Sequence, residues 1–211
     1  MFLKIQNLNY LLIFLILLIS IIGAAGLYSA AGGSYSPWAS RHLIRLSILL
    51  FLAIVIAFID IKLIYKYAYI IFIFSFLLLL SVEIIGVFGK GATRWINIFG
   101  FSLQPSELIK ITIIIALARF YNDLKFSEVK SIINLLFPFL ILFLPFLFVV
   151  LQPDLGTALS IIILGIFILF ASGVQIWKFA VGGSAIIFSI PLLINFLKPY
   201  QKDRLISFLN P

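Results

Sequence analysis

Seven long apolar runs parted by shorter polar stretches set the pattern of the chain: Tyr10–Leu27, Leu43–Ile61, Tyr67–Gly86, Ser106–Phe120, Ser131–Leu151, Leu155–Val174 and Ile176–Leu197. A hydrocarbon core takes about 20 apolar residues of helix to cross. Backbone in lipid has no water to bond to, so each run must satisfy its own N–H and C=O groups as a helix. The predicted fold class is therefore all-α, a polytopic transmembrane helical bundle of about seven spans. The fourth run is the shortest and carries Glu107 and Lys110 in its first turns. The first run has Lys4 before it and Gly23-Ala24-Ala25-Gly26 near its end, as a signal peptide would. It is longer than a usual signal core and further spans follow, so it reads as an uncleaved span. Pro138, Pro145 and Pro191 are expected to kink their helices. Tyr28–His42, Val87–Pro105 and Tyr121–Lys130 are the long polar connections, and residues 1–211 read as a single integral membrane domain.

Composition excludes the soluble alternatives. Hydrophobic residues make up 64% of the 211 and charged residues 10%, whereas a soluble domain keeps roughly a quarter of its residues charged. Disordered chains are poor in apolar residues, so disorder is excluded as well. Cysteine is absent, which removes disulfides, thiolate metal sites and thiol nucleophiles. His42 is the single histidine, which removes a histidine-cluster metal centre. The net charge of +8 comes from cations scattered between apolar runs. That distribution suits anionic lipid headgroups and lipid-linked anions, not nucleic acid.

Counting Lys and Arg in the connections does not orient the chain. With the N-terminus inside, seven cations fall inside and eight outside. Parity is more informative. The Val87–Pro105 connection, the Gln152–Asp154 turn and the tail after Leu197 are each separated by two runs, and so share one membrane face. Tyr28–His42 joins them by the same parity.

Three constellations on that face carry candidate chemistry. The first is Gly89-Lys90-Gly91-Ala92-Thr93-Arg94-Trp95, followed by Gln104-Pro105-Ser106-Glu107-Leu108-Ile109-Lys110. Pro105 and Ser106 are helix-starting residues, and Glu107 suits the positive end of the helix dipole. Glu107 and Lys110 share a helix face. They form either a neutralised cap-region pair, with Arg94 and Trp95 as interfacial anchors, or functional charges, since an intramembrane Lys and Glu are costly unless used. The second is Gln152-Pro153-Asp154-Leu155-Gly156-Thr157. Asp154 is either a helix cap or a carboxylate needing a cation, for which Arg94 and Lys110 are the same-face candidates. The third is Lys198-Pro199-Tyr200-Gln201-Lys202-Asp203-Arg204, a surface cluster or a ligand contact. Glu83 reads as snorkelling, and Asp60, Asp123 and Glu128 as solvated charges. Cations and carboxylates gathered at a membrane surface suit a phosphate-bearing substrate anchored in lipid. A phosphate leaving group needs positive charge, and a hydroxyl nucleophile needs a base.

These motifs resemble the SEDS family (shape, elongation, division and sporulation): Gly91-Ala92-Thr93-Arg94-Trp95, Gln104 through Lys110, Gln152 through Thr157, and Tyr200-Gln201-Lys202-Asp203-Arg204 running into Phe208-Leu209-Asn210-Pro211. The tail looks more like the rod-shape members than the division members. The resemblance implies a peptidoglycan glycosyltransferase that extends glycan strands from lipid II during cell elongation. A sugar hydroxyl would attack an anomeric carbon and expel undecaprenyl pyrophosphate. Arg94 and Lys110 would contact that pyrophosphate. Glu107 and Asp154 would hold those cations or help coordinate a divalent cation such as Mg or Mn. Lys90, Trp95, Gln104, Gln152 and Arg204 would support them. The resemblance further implies a class B penicillin-binding protein as partner, a bacterial inner membrane location and a cytoplasmic N-terminus. Family members continue past the Phe-Leu-Asn-Pro element to a loop bearing the proposed catalytic aspartate. The chain is therefore expected to be the N-terminal part of a longer protein, with that aspartate beyond Pro211. Two other readings fit the same residues: a lipid II flippase, and a non-enzymatic scaffold binding a transpeptidase.

Overall fold

Asn9 opens the first helix, its side-chain oxygen accepting from the Leu12 N–H at 3.0 Å and so satisfying one of the donors that a helix start leaves unpaired. The computed structural model describes residues 8–89, 92–98, 101–184 and 188. Seven α-helices and three strands are delimited there: α1 Tyr10–Ala30, α2 Trp38–Ala57, α3 Ile61–Ile85, β1 Val87–Gly89, β2 Ala92–Ile98, β3 Phe101–Leu103, α4 Pro105–Asp123, α5 Phe126–Val129, α6 Leu136–Leu151 and α7 Leu155–Ala171. A 3-10 turn, Ile133–Leu135, leads into α6, and helix recurs over 176–184. Helix thus occupies each of the first six predicted runs. The seventh, Ile176–Leu197, lies mostly outside the described residues, as does Pro191.

Four helical stretches among the described residues are long and apolar enough to cross a membrane: Tyr10–Ala30, Trp38–Ala57, Ile61–Ile84 and Ile133–Leu151. Leu155–Ala171 is apolar and shorter. Two helices start earlier than the apolar pattern predicts. α2 begins at Trp38, before Leu43, and α3 at Ile61, before Tyr67. Arg41, His42 and Arg45 therefore sit on the first turns of α2, and Lys62 and Lys66 on those of α3. Long cationic side chains reach the interface from a helix end, so the helix runs on past its apolar stretch.

The chain divides into two compact units, Met1–Lys66 and Tyr67–Pro211. In the first, α1 and α2 are joined by a tight connection, and His42 of α2 donates from Nε2 to the Ser20 carbonyl of α1 at 3.0 Å. A carbonyl only accepts, so the proton is on Nε2. Polar links of this kind tie helices together in lipid, where apolar burial gives little drive.

In the second unit α4 is the central element. Ile109, Ile113, Ala116 and Leu117 recur at helical spacing and are fully buried against Leu79 of α3, Ile141, Leu142 and Val149 of α6, and Ala158 and Ile161 of α7. Gly165 of α7 lies so close to the Leu142 side chain that a methyl group there would overlap it. Small residues let membrane helices approach in this way. Replacing Gly165 with Leu is expected to cost about 1–3 kcal/mol by overpacking, read as a lower thermal unfolding midpoint in detergent. Pro138 falls in the first turn of α6, where its missing N–H is not needed. Only Pro145 lies inside the helix, so the kink expected at Pro138 is not required there.

The described residues of the Val87–Pro105 connection form a three-stranded antiparallel sheet in the order β1-β2-β3. Trp95 pairs with Val87, Asn97 with Ser102 and Ile96 with Leu103, and the Ser102 hydroxyl donates to Asn97 Oδ1 at 2.8 Å. Along β2 exposure alternates as a half-covered strand requires: Ile96 is buried and Arg94 partly covered, while Trp95 and Asn97 are exposed. Open sheet edges are not tolerated in hydrocarbon, so the sheet belongs to the membrane surface.

Candidate functional site

A four-residue clamp joins the sheet to the α6–α7 turn. Asp154 is the N-cap of α7: its Oδ1 accepts from the Thr157 N–H at 3.3 Å and its Oδ2 from the Thr157 hydroxyl at 3.0 Å. Gln104, the residue that opens α4, donates from Nε2 to Asp154 Oδ2 at 3.1 Å. Arg94 on β2 donates from Nε to the Gln152 carbonyl at 3.2 Å and from Nη2 to the Pro153 carbonyl. Its Nε also lies 3.9 Å from Asp154 Oδ2. Gln152 is buried and donates from Nε2 to the Leu79 carbonyl near the end of α3 at 3.2 Å. The Arg94 and Asp154 side chains are 25% and 14% exposed, so the pair is shielded without being sealed from water. The carboxylate also faces the positive end of the α7 dipole. Of the two cations considered for Asp154, the geometry selects Arg94.

Lys110 has a different partner. Pro105 is at the first position of α4, where its missing N–H costs nothing, and Glu107 follows in the first turn. Lys110 Nζ lies 2.9 Å from Glu107 Oε1. The two charges stand at the sheet end of a groove of about 530 Å³ between α4 and α7. Leu108, Ile111, Ile114, Ile163 and Leu164 give the groove apolar walls, and Ser160 adds a hydroxyl that is already donated to the Gly156 carbonyl at 2.9 Å. The groove is thus charged at one end and apolar along the rest.

The predicted residues therefore fall into two groups. Arg94, Gln104, Gln152 and Asp154 meet in one network, while Glu107 and Lys110 form a separate pair. Trp95 lies next to Arg94 on β2, on the opposite face of the strand, and is 41% exposed, as an interfacial anchor would be. Lys90 and Arg204 lie outside the described residues, as does the tail cluster. The contact between Arg94 and residues 152–154 puts the sheet and that turn on one face, as parity predicts. Thr157 has a larger part than its motif position suggests. An Asp followed three residues later by a hydroxyl donor is a capping signal, whereas nothing in the sequence points to the Leu79 carbonyl.

Asp60, Asp123 and Glu128 are engaged locally. Asp60 accepts from the Lys62 N–H at 2.9 Å, Asp123 pairs with Arg119 at 3.8 Å, and Glu128 accepts from the Lys125 N–H at 2.8 Å. Glu83 is exposed near the end of α3. Glu107 is held by Lys110, and Asp154 by Arg94, Gln104 and Thr157. No three His, Cys, Asp or Glu side chains converge among the described residues.

The model of the FtsW, RodA and SpoVE family of cell-cycle proteins matches residues 4–211. The chain belongs to this family. It is 37% identical over 174 residues to the probable peptidoglycan glycosyltransferase FtsW of Coxiella burnetii, covering 81% of this chain and 46% of that protein. It is 30% identical over 201 residues to the peptidoglycan glycosyltransferase MrdB of Escherichia coli strain K12, covering 93% of this chain and 53% of that protein. The rod shape determining protein RodA of Thermus thermophilus superposes with a TM-score of 0.73 at 27% identity, over 89% of this chain and 60% of that one. A chain solved in work on a peptidoglycan synthase complex that coordinates polymerization and crosslinking gives 0.83 at 28% identity, over 97% of this chain and 60% of that one. The chain spans about half the length of the curated relatives it matches. The fold is accordingly that of this family of polytopic membrane proteins.

Proposed function

We propose that the chain provides the lipid-pyrophosphate-binding part of a peptidoglycan glycosyltransferase that extends glycan strands from lipid II. The observation that carries this reading is the Lys110–Glu107 pair at the head of an apolar groove, in a family whose curated relatives bear that enzyme name.

In the proposed reaction a sugar hydroxyl oxygen bonds to the anomeric carbon of a lipid-linked sugar. The bond from that carbon to pyrophosphate oxygen breaks, the hydroxyl proton passes to a base, and undecaprenyl pyrophosphate leaves as an anion. Lys110 is suited to meet the developing charge on that oxygen, and Glu107 holds the ammonium on the groove. Arg94 has two donors committed to backbone carbonyls and faces Asp154. Its proposed role is thus to fix the sheet over the turn, with Gln104, Gln152 and Asp154, and only its remaining N–H groups are available for phosphate. The chain's residues are assigned no step through a metal.

The matching environment is the bacterial inner membrane with the N-terminus cytoplasmic, so that the sheet and the 152–154 turn face outward. A transpeptidase of the class B penicillin-binding type is the proposed partner. It accords with the likeness to a chain from a polymerization and crosslinking complex. The test is incubation of the protein, extracted from its own membranes, with lipid II in detergent, where flipping has no meaning. Glycan polymer with release of undecaprenyl pyrophosphate is expected. Lipid II that binds but stays unconverted would support the binding part without the polymerisation, and absence of binding would leave the scaffold.

A further inference from the structure

The end of the second unit away from the Arg94 clamp carries a second cationic surface that this function does not use. α4 has 19 residues and α7 has 17, so they reach about 28 and 25 Å from the clamp, close to the roughly 30 Å of a hydrocarbon core. At their far ends lie α5 and the turn leading to residues 176–184.

Lys178 reaches across to α5 and donates from Nζ to the carbonyl of Lys130 at 2.7 Å. The Lys130 ammonium in turn lies 5.1 Å from the centre of the Phe126 ring. The Lys178 ammonium is thereby anchored to the backbone of a second lysine. The nearby acids are committed elsewhere: Glu128 caps α5 through the Lys125 N–H, and Asp123 is with Arg119. Among the described residues no carboxylate comes within ion-pair distance of Lys130 or Lys178. Around the pair the surface is apolar and open: Phe126 is 69% exposed, Ile133 77% and Trp177 50%. The Lys178 ammonium also lies 5.9 Å from the Trp177 ring, and the indole N–H donates to Gln175 Oε1 at 3.1 Å, which fixes its plane.

From this juxtaposition we propose that Lys130 and Lys178 form a binding site for the headgroup phosphate of an anionic phospholipid, with its acyl chains against Phe126, Ile133 and Trp177. A phosphate meets two cations that have no carboxylate partner among the described residues, and the exposed aromatic and aliphatic side chains give the chains a wall where the headgroup layer meets hydrocarbon. The occupant is a bilayer lipid and not free phosphate, because the apolar wall has no use for a free ion.

The test is native mass spectrometry of the full chain in detergent with phosphatidylglycerol and phosphatidylcholine of equal chain length. The wild type is expected to retain phosphatidylglycerol preferentially. K130Q/K178Q is expected to lose that preference by roughly tenfold, and K130R/K178R to keep it. K62Q/K66Q, which removes the same charge from another surface, is expected to behave as wild type. Equal loss in that control would show bulk charge alone and overturn the site. So would retention by K130Q/K178Q, or displacement of the lipid by excess inorganic phosphate. Should the double variant fail to fold, Lys130→Gln, which breaks no side-chain hydrogen bond among the described residues, reads the same preference.

Discussion

Replacing Asp154 with Ala lowers the unfolding free energy in detergent by about 1.5–5 kcal/mol. Loss of the cap on α7 accounts for roughly 0.5–2 kcal/mol. Leaving the Gln104 amide without its acceptor and the half-shielded Arg94 guanidinium without its counter-charge adds about 1–3 kcal/mol. Both effects fall on one side chain because its two oxygens serve Thr157, Gln104 and Arg94 together. Asp154→Asn keeps an oxygen for the cap and loses the charge, so it falls between wild type and Ala. Asp60→Ala is the comparison: Asp60 is exposed and its carboxylate accepts from one backbone N–H, so its loss costs about 1 kcal/mol. Thermal unfolding followed by circular dichroism in one detergent ranks the variants. A melting curve for Asp154→Ala that overlies the wild type would mean that the clamp contributes nothing to the fold.

Lys110→Ala has the opposite profile: a large loss in handling lipid pyrophosphate and little loss of stability. Its partner Glu107 is 57% exposed, and an exposed helical pair is worth well under about 1 kcal/mol. A charge-assisted hydrogen bond to phosphate is worth about 1.5–3 kcal/mol, so binding of undecaprenyl pyrophosphate weakens by roughly 10–100-fold. Lys110→Arg recovers part of the loss, since the charge remains while its shape changes. Glu107→Gln has a smaller effect, because it loosens the ammonium without removing it. Isothermal titration with undecaprenyl pyrophosphate, with the melting temperature measured alongside, separates this behaviour from that of the clamp. Arg94→Ala lowers stability and binding together; Lys110→Ala lowers binding alone.

What the sequence conveys about this site depends on spacing. Gln-Pro-Asp ahead of an apolar run reads as a helix start, and Asp154 is one. The separation of three residues between Glu107 and Lys110 implies a shared face, and they pair. Parity puts the Val87–Pro105 segment on the same side as residues 152–154, and Arg94 joins the two. The choice between Arg94 and Lys110 as the partner of Asp154 depends on tertiary position. Glu107 is closer to Lys110 than any distant acid, so Lys110 is already engaged, while Arg94 is delivered by a strand.

The strand itself is where a membrane-centred reading fails. Apolar length detects helices in lipid but says nothing about segments at the surface, and the consecutive apolar pair Trp95-Ile96 hides the two-residue period that the exposure of residues 94–97 follows in β2. The helix starts at Trp38 and Ile61 are hidden for a related reason. Arg41, Arg45, Lys62 and Lys66 interrupt the apolar pattern without interrupting the backbone hydrogen bonds. Hydropathy marks the hydrocarbon boundary and not the helix end. The remaining contacts of Gln152, to the Leu79 carbonyl and from Arg94 to its own carbonyl, involve backbone groups that carry no sequence signal.

Two apolar grooves of similar size exist in the described residues, which allows a direct test of the central claim. One, of about 530 Å³, lies between α4 and α7 with Glu107 and Lys110 at its head. The other, of about 560 Å³, lies between α1 and α2 with Asn9 and Asp60 on its lining and no cation. A photoreactive polyprenyl pyrophosphate, with the reactive group on an early isoprene unit, is bound to the protein, irradiated, and the modified peptides identified by mass spectrometry. The account predicts labelling on α4 and α7 at Ile111, Ile114, Ile163 or Leu164, competed by undecaprenyl pyrophosphate and lost in Lys110→Ala. Labelling confined to Leu12, Ile16, Leu50 or Ile54, and unchanged in Lys110→Ala, would contradict it.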